Sequence, residues 1–173
     1  MTGQTPARGG TERLIAVLAA VMCVVCILWN IEAPTRIGIA ILTEQYLALQ
    51  LGLALTIAFL RFGPSGDRKA RVGPVDGAVA VLCFLVLMYA AWDFSYLLRE
   101  QAYRPPEITV IGLVVTLAVM EGIRRRAGWT LFLIVAAFLV YALFADKVPG
   151  QLIGKALSPV RLVQYVGFDP SAV

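Results

Sequence analysis

A chain that must place one apolar run after another has few ways to fold. The sequence opens with such a run, "LIAVLAAVMCVVCILWNI", from Leu14 to Ile31. At 1.5 Å per residue its 18 residues reach about 27 Å, close to the thickness of a bilayer's hydrocarbon core. Backbone groups inside lipid must bond internally, so a run of this length is read as a helix. Similar runs recur along the chain. The sequence is 60% hydrophobic and 15% charged, with a mean hydropathy of +0.80. A soluble domain of this size carries about 25% charged residues. The predicted fold class is therefore all-α, a polytopic membrane helix bundle.

The spans can be placed from their punctuation. Residues 1–13 are polar and read as a cytoplasmic tail. No small-residue cleavage pattern follows the first run, so it reads as a retained span. Trp29 and Asn30 mark its outer end, where an indole favours the headgroup layer. Thr43, Glu44 and Gln45 would be costly at depth. Residues 37–45 are therefore expected as an interfacial lead-in and 46–62 as the second crossing. On that helix Ala48, Gly52 and Thr56 form a face of small residues suited to close helix packing. The third span reads as 78–99, with Asp76 as its N-cap. Tyr89, Asp93, Tyr96 and Glu100 would then form one polar stripe. The fourth span reads as 108–123. A fifth apolar run covers 129–145. In the tail, Leu157, Val160, Val163 and Val166 recur at helical spacing and predict an amphipathic segment, either interfacial or packed on a partner.

Between the fourth and fifth runs lies "EGIRRRAGW", residues 121–129. A single helix from 108 to 145 would be about 57 Å long, nearly twice the hydrocarbon core, with three arginines at its middle. The chain is expected to turn there, with Gly128 as the helix stop. Arg124, Arg125 and Arg126 would hold the turn in the interface. Glu121 precedes Arg124 and Arg125 by three and four residues, the favourable acid-before-base order on a helix.

Loop charges predict sidedness. The N-terminal segment has Arg8 and Arg13 against Glu12, loop 61–76 has four basic residues against two acids, and 124–128 has three arginines and no acid. Loops 32–45 and 100–107 each carry one arginine against two acids. The basic side is cytoplasmic, which puts the N-terminus inside. The net charge of +4 is thereby read as topology and not as a nucleic-acid footprint.

The chemistry in the chain is sparse. There is no histidine, which removes histidine-based metal sites, haem ligation and histidine bases. Cys23, Cys26 and Cys83 lie in apolar runs and read as packing residues. No catalytic set, metal site or cofactor motif can be assembled. Asp93 is the residual functional candidate, as a cation or proton site, against the plainer reading of a hydrated acid near a helix end.

The stretch "EGIRRRAGWTL", followed by "YALF" and "VPG", resembles the fused membrane component of TRAP transporters of the TAXI type. The matching positions are Glu121, Arg124, Arg125, Gly128, Trp129, Leu131, Tyr141 to Phe144, Pro149 and Gly150. "LSPVRLV" (157–163) and "LQLGLAL" (49–55) are similar to family segments as well. The resemblance implies a four-helix Q-type region over 14–126, and over 127–173 the first helix and following segment of the M-type part. It implies a non-catalytic role in a secondary importer of organic anions, in a bacterial inner membrane. The implied partners are a large M-type subunit or domain, an extracytoplasmic substrate-binding protein and the bilayer, without cofactor. Two other readings stay open: the small membrane subunit of a tripartite tricarboxylate transporter, and an intramembrane enzyme or free-standing assembly or sensor protein.

Overall fold

The computed structural model describes residues 7–67, 72–94, 96, 106–147 and 157–168. Among them the chain forms six α-helices and a short 3₁₀ turn: α1 (Ala7–Asn30), α2 (Ala33–Arg36), α3 (Thr43–Arg61), α4 (Pro74–Trp92), α5 (Pro106–Leu143), the 3₁₀ turn Ala145–Lys147, and α6 (Pro159–Phe168). Four helices, α1, α3, α4 and α5, are long and apolar enough to cross a bilayer. The protein is a multi-pass membrane helix bundle. It divides into two compact units, Met1–Phe94 and Ser95–Val173.

In the first unit α1, α3 and α4 run up, down and up. Trp29 at the end of α1 stacks on Tyr46 at the start of α3, with ring centroids 4.5 Å apart and planes 4° from parallel. Further along, Gln50 Nε2 donates to Met22 O at 3.2 Å. The rising and falling residue numbers fix the pair as antiparallel. The α3–α4 seam is antiparallel too, with Gln45 Nε2 donating to Ala91 O at 2.9 Å and Gly52 facing Leu87. Side-chain amides serve here as the polar links between helices that lipid cannot provide. Leu53, Leu55, Phe59, Ala80, Cys83 and Leu87 fill the core. Most of α1 instead exposes its apolar side chains, as a helix facing lipid does.

Several boundaries differ from expectation. Helix α1 begins at Ala7, within the expected tail, because helical bonding does not stop at the edge of an apolar run. Helix α3 begins at Thr43, so Glu44 and Gln45 form its first turn and not a lead-in. An acid there suits the positive end of the helix dipole. The Leu42 N–H donates to Gln45 Oε1 at 3.0 Å, which closes one of the orphan groups at that end. Helix α4 starts at Pro74 with Gly73 as its N-cap, and Asp76 lies inside the first turn. Proline at the first helical position needs no N–H partner and has its φ preset.

In the second unit α5 is a helix of 38 residues broken at Gly128, which has φ 85° and ψ −177°. Its two arms, 106–127 and 129–143, meet there at a sharp bend. Leu157 N donates to Ala142 O at 3.1 Å near the end of the second arm. Six residues later, a Cβ placed on Gly112 in the first arm would lie 2.8 Å from Val163 O. Six residues span at most about 22 Å. An unbroken helix would separate Gly112 from Ala142 by about 45 Å. Only a sharp bend at Gly128 brings both arms to the segment 157–163.

Helix α6 packs on the first arm and crosses it at Gly112, one turn from the bond that Gln164 Nε2 donates to Thr109 Oγ1 at 3.0 Å. The face it buries overlaps the expected one only in part: Val163 makes the contact at Gly112 and Leu157 is half-buried. Leu162 and Gln164 are buried, while Val160 and Val166 are exposed. The approach of Val163 to Gly112 and the bond from Gln164 to Thr109 together hold α6 on the first arm.

Candidate functional site

The densest chemistry lies where the α5 hairpin turns. Arg124 and Arg125 reach back one turn to Glu121. Arg124 donates from Nε to Glu121 Oε2 at 2.7 Å and from Nη2 to Oε1 at 2.6 Å. Arg125 donates from Nε to the same Oε1 at 2.7 Å. This fork is the planar, two-bond recognition of a carboxylate that arginine makes and lysine does not. Arg125 is buried, Arg124 partly so, and Arg126 is exposed.

Arg124 also spans the break. Its guanidinium carbon lies 5.3 Å from the ring centre of Trp129, the first residue after Gly128. Such a cation–π contact contributes about 0.5–1 kcal/mol at an exposed position. Trp129 meets Phe132 edge-on, with centroids 5.3 Å apart. One side chain therefore holds the last turn of the first arm to the first turn of the second. Gly128 permits this with a positive φ and an extended ψ, a region that only glycine occupies without strain. The break falls at Gly128, where the sequence places the helix stop.

The small-residue face of α3 lies in the α3–α4 seam. Gly52 and Thr56 are buried there, and Ala48 is half-buried. A Cβ at Gly52 would meet Leu87 Cβ at 3.4 Å, and Thr56 Oγ1 donates to Gly52 O at 2.7 Å.

Asp93 is placed differently from the expected stripe. Helix α4 ends at Trp92, and Asp93 is its half-buried C-cap, with its N–H bonded to Tyr89 O at 3.0 Å. Tyr89, Asp93 and Tyr96 therefore do not lie along one uninterrupted helix, and Glu100 falls outside the described residues. Among the described residues no cluster of three or more His, Cys, Asp or Glu side chains could hold a metal ion. Cys23 and Cys26 face outward and Cys83 is buried.

Near the stacked Trp29–Tyr46 pair, α1, α3 and α4 enclose an open cleft of about 560 Å³. Its lining is mostly apolar, including Leu28, Leu49, Met88 and Trp92. Gln45, its amide polar group, is already bonded at both ends, to Leu42 N and Ala91 O.

The sequence reading missed the residues that make the inter-helix bonds, Gln45, Gln50 and Gln164, and the contact at Gly112. The available signal was a neutral amide within an apolar run, which lipid tolerates only where it finds a partner.

Comparison with known proteins adds no family: no family model, curated protein or solved structure matches the chain.

Proposed function

We propose that this chain is a non-catalytic membrane scaffold of a TAXI-type TRAP secondary transporter for organic anions. In this reading it is the small Q-type part together with the first helix of the M-type part. The observation that carries the reading is the turn from Glu121 to Trp129. The residues that resemble the family motif, Glu121, Arg124, Arg125, Gly128 and Trp129, are the ones that make the fork, the break and the cation–π contact. A role confined to the turn accounts for that set of residue types.

The bundle braces a large M-type subunit or domain, and an extracytoplasmic binding protein delivers the substrate. The protein resides in a bacterial inner membrane with its N-terminus in the cytoplasm, the side that its basic loops favour.

Two measurements test this. The full chain, reconstituted alone into proteoliposomes, is expected to accumulate none of a panel of radiolabelled dicarboxylates, keto acids and acidic amino acids. The same chain is expected to co-purify with a co-expressed M-type subunit. Uptake by the chain alone, or failure to associate with the M-type protein, would refute the scaffold role.

A further inference from the structure

We infer that the turn of the α5 hairpin binds the headgroup of an anionic phospholipid, whose acyl chain lies along the second arm. This site does not depend on the transport reading. It follows from what the turn leaves uncommitted.

Glu121 accepts through both oxygens within the turn. Arg124 gives Nε and Nη2 to that carboxylate, and a guanidinium has five N–H donors. Its other terminal nitrogen makes no hydrogen bond among the described residues, and the side chain is 22% exposed. The Trp129 ring on which it rests is 60% exposed. Arginine donors beside an indole, at the end of a membrane helix, match a phosphodiester in the headgroup layer.

The occupant is a lipid and not a soluble anion because of what lies beside the donors. Below Trp129, Leu133, Ala137, Val140 and Phe144 form an exposed apolar stripe at helical spacing along the second arm. Headgroup and acyl chain thus meet matching chemistry on one continuous surface. A basic site beside apolar helix surface, on the side of the membrane with the basic loops, suits phosphatidylglycerol or a related anionic lipid.

The test uses the purified full chain in mixed micelles, with retained lipid counted by native mass spectrometry. Phosphatidylglycerol is expected to be retained over phosphatidylcholine. Arg124→Gln is expected to lower that preference about fivefold, the effect of one basic residue near an anionic surface. Arg36→Gln, at an exposed arginine on α2, is the control and is expected to leave the preference unchanged. Equal retention of the two lipids by the wild-type chain overturns the proposal without any variant. So does an equal loss in the Arg36→Gln chain, which would mean diffuse charge attraction. Displacement of phosphatidylglycerol by millimolar glycerol 3-phosphate also overturns it, because the site would then be one for soluble anions. If Arg124→Gln does not fold, Trp129→Leu replaces it. That variant keeps every charge and is expected to reduce the preference, and an undiminished preference overturns the site.

Discussion

Substituting Gly112 by alanine isolates the contact that docks α6. The added Cβ would lie 2.8 Å from Val163 O, 3.1 Å from Val163 Cγ1 and 3.4 Å from Val163 C. Ordinary C···O contacts begin near about 3.3 Å, so the helices must separate by about 0.5 Å. The nearest obstacle is backbone, which no rotamer change can move aside. Overpacking of this kind costs about 1–3 kcal/mol. The Gln164–Thr109 bond lies one turn away, and its weakening adds about 0.6 kcal/mol, the average for such bonds between membrane helices. Alanine's better helix propensity offsets about 1 kcal/mol. The net expectation is a destabilisation of about 0.6–2.6 kcal/mol. Gly52→Ala is the matched control, because its new Cβ would meet Leu87 Cβ at an ordinary 3.4 Å. There the propensity gain should survive, a stabilisation of about 0.5–1 kcal/mol. Reversible unfolding in SDS-containing mixed micelles, followed by far-UV circular dichroism, reads both. The Gly112→Ala midpoint should fall and the Gly52→Ala midpoint should rise. Faster hydrogen exchange in Gly112→Ala should concentrate in α6. If Gly112→Ala proves as stable as Gly52→Ala, the close crossing at Val163 does not hold α6.

Other substitutions probe the remaining joints. Gln45→Leu removes the bonds to Leu42 N and Ala91 O together and is expected to cost about 1–3 kcal/mol, with faster exchange at the start of α3; unchanged exchange there would count against the joint. Gly128→Ala meets no atom within 4 Å, so its expected cost of about 1–3 kcal/mol comes from the backbone alone. A melting temperature equal to wild type would mean that the turn tolerates another conformation. For topology, alkaline phosphatase fused after Gly38 should be active and after Asp67 inactive; the reverse result would place the basic loops outside.

The sequence was most legible where water and lipid demand opposite things. Long apolar runs separated by basic loops leave little choice but membrane helices, and α1, α3, α4 and α5 follow them. The turn at 124–128 was legible for the same reason, since three arginines cannot sit at mid-membrane. Helix ends were less legible, because caps decide them locally: Pro74 starts α4 ahead of Asp76, and α4 stops at Trp92 before Asp93. The expected polar stripe is interrupted at Asp93, and its last member, Glu100, lies outside the described residues.

What the sequence determined by itself is the number and order of apolar helices, the place of the hairpin, and the pairing of Glu121 with arginines on its own helix. All of these depend on neighbours within a few residues or on the energy of leaving water. Tertiary structure alone decided which carbonyls receive Gln45, Gln50 and Gln164, and which face of α6 turns inward. Between helices packed in lipid, burying one apolar face over another gains little, so periodicity says little about which residues of α3 and α4 meet. Close approach at a glycine and the satisfaction of a single amide set the packing instead, and both depend on residues about 50 positions apart in the chain.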